Sequence, residues 1–314
     1  MSIFTAEQLD LSRLPQLTFV PHDEEAERLS LVAGIKARCD AGGVPYSTQM
    51  LRTGLVARIA EEFAFRRTLS TVQINDAVRA QYIATSFGAA LDHLGRTLYP
   101  DLVIERLASV ASPRPYAEAP EDWEDDASYK RRILLGSEAR APLTPGAYLL
   151  TALSYSTDVA DAAVLNWSSG LVRRGEELVI ILGKPGVDEA TLCAGIAEKI
   201  RTRPIRVESD TVIVRPAARR SVAIGGTLVL RPGPDGDRVK ADRTAAVVAL
   251  GAERRKIGRT LPAAGISGAM SSSVVESVQG ITVDGAPLAG DIVPALDGVV
   301  EIRTVDLAWR SLNV

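Results

Sequence analysis

The spacing of apolar residues changes once along this chain, near Pro145-Gly146, and that change limits the fold more than any short motif does. Ahead of it, Leu51, Leu55, Ile59 and Phe63 recur every four residues, with Val56 and Ala60 widening the stripe, which is the period of an amphipathic helix. Ile74, Val78 and Tyr82 resume the pattern. The spacing therefore predicts a long helix, capped by Ser47 or Thr48 and reaching about Thr85, with an irregularity near residues 66–71. A helix from about Asp23 to Cys39, stopped by Gly42-Gly43, is expected before it, and a shorter one through Leu91 and Leu94 after it, ending by Pro100.

Past the change, residues 159–167 and 177–182 read as paired strands with a turn near Ser168-Ser169-Gly170. A helix over 188–203 follows, with Leu192, Ile196 and Ile200 on one face, and then a strand over 211–214. Residues 178–186 and 228–236 both run from an apolar strand through Gly and Pro into a helix, so the second half reads as two related strand–helix–strand units. A helix near 263–273 and strands near 278–283 and 299–304 close the chain. The fold class is α+β: an N-terminal helical bundle arm followed by two small strand–helix–strand domains. The expected divisions are an extended arm over 1–21, a helical partner-binding domain over 22–117, and α+β domains over 118–215 and 216–314.

The arm carries Leu9, Leu11, Leu14 and Leu17 between Pro15 and Pro21, which block helix propagation, so these leucines need a surface to bury on. Residues 112–126 form a proline-marked linker with six acids between Glu118 and Asp126, read as a solvated run leading into a helix near Asp126. With 36 Lys+Arg against 39 Asp+Glu, the net charge of −3 supplies no global field toward nucleic acid or an anionic membrane. Thirty of the 36 basic residues are Arg, a bias that suits protein interfaces and that a high-GC genome would also give. No apolar run approaches the ~20 residues of a membrane span, and the first residues lack the pattern of a signal peptide.

Chemistry-bearing patterns are sparse. Two histidines, His22 and His93, are too few for ordinary His-based metal spacing, and Cys39 and Cys193 read as small packed hydrophobes on helices in a reducing compartment. Gly265-Ile266-Ser267-Gly268 has the wrong spacing for a nucleophile elbow, and neither Gly225-Gly226 nor residues 233–236 fits a phosphate loop. The basic stretches 215–220 and 254–259 lack interleaved aromatics for stacking bases. No catalytic, cofactor or metal residues are assigned.

The order of landmarks is more telling. Residues 87–95 (Phe-Gly-Ala-Ala-Leu-Asp-His-Leu-Gly), the Asp126-x-x-Tyr129-x-x-Arg132-Ile133 helix start, Thr144-Pro145-Gly146-Ala147-Tyr148, Ile257-Gly258-Arg259 and Val275-Glu276-Ser277-Val278 occur in the order found in the baseplate J-like family of contractile phage tails. The arm Leu9-Asp10-Leu11-Ser12-Arg13-Leu14-Pro15 is similar as well, and the chain resembles that family over nearly its whole length. The resemblance implies a structural wedge protein of the tail baseplate, a virion component assembled in the host bacterial cytoplasm. Its implied partners are a second copy of itself, a second wedge protein, and the sheath-initiator and hub or spike proteins, with no nucleic acid, membrane insertion or cofactor. Partner binding is expected to rest on Leu51, Leu55, Val56, Ile59 and Phe63, with Leu9, Leu11 and Leu14 of the arm. The competing readings are a cell-wall hydrolase using Glu121 or Asp126, and a receptor-binding tail protein.

Overall fold

The computed structural model describes residues 14, 19–141, 144–202, 211–233 and 235–312, and the backbone of residues 4–5. In chain order the elements are β1 (Phe4–Thr5), α1 (Glu24–Gly42), α2 (Thr48–Arg52), α3 (Leu55–Arg79), α4 (Gly88–Thr97), α5 (Asp126–Ala139), α6 (Pro145–Leu153), β2 (Val159–Leu165), β3 (Glu176–Gly183), α7 (Glu189–Thr202), β4 (Thr211–Pro216), β5 (Ala218–Leu230), α8 (Gly236–Arg254), α9 (Ala263–Met270), β6 (Val275–Val283), β7 (Ala286–Pro287) and β8 (Gly298–Ser311). This is the expected α+β class. The chain divides into two compact units: a helical one, Leu9–Glu105 with Tyr116–Glu118, and a mixed one made of Met1–Gln8, Arg106–Pro115 and Ala119–Val314. Leu9, Leu11 and Leu17 lie outside the described residues.

In the helical unit, Asp23 caps α1 by accepting from the Glu25 and Ala26 amides at 3.0 and 3.1 Å, and left-handed Gly43 ends it. The long predicted helix is interrupted at Thr53-Gly54 rather than near residues 66–71, and it ends at Arg79. At Gly54 the chain folds back so closely that a Cβ would sit 2.9 Å from the Met50 Cα, so only glycine passes there. Through 66–71 the helix runs unbroken, with the Ser70 and Thr71 hydroxyls donating to the Arg66 and Arg67 carbonyls one turn back, at 3.0 and 3.1 Å. In α4, Leu91 is fully buried and Gly95 shares its inward side, while His93 faces solvent.

The mixed unit holds two sheets, ordered β1-β2-β3-β4 and β7-β6-β5-β8. The first joins β2 and β3 antiparallel, then returns through α7 so that β4 lies parallel to β3. In the second, α8 and α9 lead to β6, which is antiparallel to β5, and β5's parallel neighbour is β8. The two segments thus share strand–helix–strand order but not connectivity, which corrects the reading of a simple duplication. One core lies within the second sheet and its helices, around Val222, Ile224, Leu228, Val247, Ile266 and Met270. Another joins β2 and β3 residues Ala163, Leu178, Ile180 and Leu182 to Ala217, Ile257 and Val299 of the C-terminal part.

Charged pairs tie these layers together. The acidic run 118–126 is not simply solvated: Asp122 and Glu124 are 9% and 7% exposed. Arg114 donates to both carboxylate oxygens of Asp122 and holds its pKa below the usual carboxylate range. Glu124 pairs with buried Arg132 and accepts from the Leu107 amide at 3.2 Å, and its own carbonyl takes a 2.7 Å bond from Arg106. Arg106 also reaches Asp126 at 2.7 Å, and its guanidinium carbon and that of Arg132 lie 4.8 and 5.3 Å from the centre of the fully buried Tyr129 ring. The Asp126-x-x-Tyr129-x-x-Arg132 spacing is the i, i+3, i+6 edge of α5 that builds this cluster.

Asp161 of β2 is 3% exposed and has three kinds of partner. It pairs with Arg131 of α5, accepts from the neighbouring Ala162 amide at 2.9 Å, and accepts from the Ile257 amide, 96 residues away, at 2.9 Å. Burying a carboxylate without partners is prohibitive, so the site is stable only while all three hold. Asp161→Ala is expected to lower unfolding free energy by about 3–5 kcal/mol, because it strands Arg131 and the Ile257 amide together. Arg131→Met is expected to cost at least as much, since it leaves the more deeply buried carboxylate with backbone donors but no countercharge. Denaturant unfolding checks both, and an Asp161→Ala loss below about 1 kcal/mol would sink this account.

Candidate partner interface

Helix α3 turns small residues inward and large ones outward. Ala57, Ala60 and Ala64 are buried along one side, where α1 packs, together with Asn75. Alanines at that spacing let two helix backbones approach closely, and β-methyls suffice to fill the gap. The sequence-based stripe therefore splits: Ala60 belongs to the inward side and does not widen the outward one. At 3.6 residues per turn, Leu55, Ile59 and Phe63 climb a different side one turn apart. They are 76%, 44% and 62% exposed. Val56, beside them, and Leu51 of the preceding α2 are half-buried, and Leu14 is exposed. Leu9 and Leu11 lie outside the described residues.

Two features of this unit escape a reading by period. Phe87, just ahead of α4, is 76% exposed and adds an aromatic ring to the apolar surface. Asn75 accepts from the Val20 amide at 3.0 Å and donates to the Val20 carbonyl at 2.9 Å, so its side chain pairs with the arm's last residues as a strand would. Phe19 stacks on Tyr82 beside it, with ring centroids 6.0 Å apart. A buried Asn inside a helix is a weak helix former, and that was the one signal available in the sequence.

Exposed large apolar residues in helical register fit recognition by another helix better than chemistry on a small molecule. The groups nominated for hydrolysis are engaged otherwise: Glu121 pairs with Arg114 and Asp126 with Arg106. Among the described residues no cluster of three or more His, Cys, Asp or Glu converges on a metal position, and no helix is long and apolar enough to cross a membrane. Cys193 is buried and its thiol is pushed up to about 11, first by desolvation and then by the Glu189 charge, whereas Cys39 is half-buried. The basic stretch 215–220 is spent on contacts within the chain: Arg215 on Asp297, Arg219 on Glu189 and Glu301, Arg220 on the Val293 carbonyl.

Comparison with known proteins converges on one group. The family described as the Baseplate J-like N-terminal domain matches residues 55–107, which begin at the first residue of α3. Baseplate protein J of Escherichia phage P2 is 28% identical over 292 residues, covering 91% of this chain and 92% of that protein. The chain is thus similar to baseplate J-like proteins along nearly its whole length, and the matched N-terminal domain is the part that carries Leu55, Ile59 and Phe63.

Proposed function

We propose that this chain is a structural protein of a contractile phage or phage-like tail baseplate, where it acts as a wedge component in the virion. Its similarity to a phage baseplate protein across nine-tenths of both chains supports the baseplate assignment. The helical unit docks a second copy of the chain and a second wedge protein through Leu51, Leu55, Val56, Ile59 and Phe63, and through the arm leucines Leu9, Leu11 and Leu14. The mixed unit then links neighbouring wedges into a ring around the hub and spike, adjoining the sheath initiator.

The observation that carries this reading is the exposed, turn-spaced trio on α3 within the matched domain. Covering the parts of Leu55, Ile59 and Phe63 still exposed would contribute roughly 3–5 kcal/mol before ordering costs, a favourable share of bundle formation. Leu55→Asp with Ile59→Asp is the direct test, since charge is tolerated on a wet face and penalised in a dry bundle. The double variant is expected to keep the melting transition of the mixed unit while losing tail assembly and co-purification of the wedge partner. Normal tails from the variant would exclude this side of α3 as the assembly seam.

We also propose that residues 22–117, 118–215 and 216–314 act as separate modules. The self-contained core around Val222, Leu228, Val247 and Ile266 supports autonomy of the last. Severing it exposes Ala217, Ile257 and Val299, which otherwise pack with Leu178 and Ile180. A 216–314 fragment should therefore give a dispersed NMR spectrum yet melt below the intact chain. A random-coil spectrum would refute the boundary.

A further inference from the structure

In the mixed unit, the tip of the β2–β3 hairpin has the composition and order of a binding anchor. Trp167 is 52% exposed and Leu171 is 44% exposed, although both sit in a segment held in one shape. Asn166 accepts from the Ser168 amide at 3.0 Å and the Ser168 hydroxyl at 2.6 Å. The Ser169 hydroxyl donates to the Asn166 carbonyl at 2.7 Å and accepts from the Leu171 amide at 3.2 Å. Glu176 takes the Arg173 amide at 2.8 Å, and the Gly175 carbonyl accepts from the Thr211 amide at 2.9 Å, fixing the base of the tip to β4. Gly170 and Gly175, at φ 77° and 81°, supply the left-handed turns. A loop ordered this thoroughly has already met the entropic cost of being held for a partner.

Its charge is one-sided. The Arg174 guanidinium lies 4.7 Å from the Trp167 ring centre, and neither Arg173 nor Arg174 has a carboxylate partner among the described residues. Tryptophan, leucine and arginine at one exposed point match the residues that anchor protein interfaces. Two arginines make too small a patch for a nucleic-acid track, which leaves acidic protein as the fitting surface. A second copy, whose exposed acids include Asp242 and Asp306, is the competing occupant and an outcome of the test.

We infer that residues 167–175 form a preorganised anchor that inserts Trp167 and Leu171 into an acidic surface of a different protein, with Arg173 and Arg174 pairing its carboxylates. This rests on the reading of the chain as an assembly component, but uses a surface of the mixed unit. The test places a photo-crosslinking amino acid at Leu171 in particles from a producing culture and sequences the crosslinked peptide. The expected product joins the chain to an acid-rich segment of one other particle protein. Arg173→Glu with Arg174→Glu should cut its yield about tenfold, Trp167→Ala about thirtyfold, both without moving the thermal midpoint, and basic substitutions in the crosslinked segment should rescue the arginine variant. Crosslinking to a second copy, to nucleic acid or to a segment without acids overturns the proposal. Particles that contain the chain but give no Leu171 crosslink overturn it alone, whereas particles lacking the chain sink the assembly reading as well.

Discussion

A single buried carboxylate sets the geometry of the mixed unit. Asp161 projects from β2 into a place that water does not reach, and its three partners come from α5, from β2 itself and from the turn after α8. Satisfying it requires the helix before the first sheet and the turn between α8 and α9 to arrive at one point. Apolar packing alone would tolerate sliding, because dispersion contacts are numerous and individually weak. A charged hydrogen-bonded centre tolerates very little, since each lost partner leaves a desolvated charge. The apolar cluster of Ala163, Leu178, Ile257 and Val299 completes the same junction, so Asp161 fixes the register in which those residues meet.

Arginine forks extend that logic outward. Arg255 donates to Glu301 at 2.8 Å and to the Gly183 carbonyl at 2.9 Å, spanning β8 and the end of β3. Arg219 joins Glu189 and Glu301, and Arg215 reaches Asp297 at 2.6 Å. Arg255 and Arg219 each use the planar guanidinium to satisfy two groups on different elements, which an ammonium on a flexible stem does less well. A bias of thirty Arg to six Lys therefore has uses inside the chain as well as on its surface.

What could be read from sequence divides along physical lines. Caps are local, so the helix starts expected at Asp23 and near Asp126 were legible, and the Asp23 and Asp125 side chains accept backbone amides there, whereas α6, capped by Thr144, was not expected. The class and most elements followed from period, and α7 buries Leu192, Ile196 and Ile200 as their spacing required. The fate of the acidic run was not legible, because burial of Glu124 depends on arginines 8 residues after it and 18 before it. Nor was the parallel pairing of β5 with β8, which joins Ala218 to Gly298 across 80 positions that pattern cannot connect. The break at Gly54 was displaced in the reading for a subtler reason. Ser70 and Thr71 weaken a helix by competing for its carbonyls, yet here they use the bonds one turn back and leave it intact.

The same limit governs the candidate interface. A four-residue period states that a helix has an apolar side, but not whether that side meets its own chain or another. In α3 the alanine side meets α1, and α1 has no fully buried residue of its own. Alanine burial contributes little area per residue, so this pair of helices is thinly cored for its length. The large side chains that would ordinarily thicken such a core are Leu55, Ile59 and Phe63, and they point elsewhere. Under the proposed function this arrangement has a direct consequence. Docking would add the burial that the isolated helical unit lacks, so that unit's order and its assembly would be coupled in one equilibrium. The mixed unit already buries large side chains such as Leu178, Ile180, Leu228 and Ile266 within its own cores, so docking would add proportionally less to it.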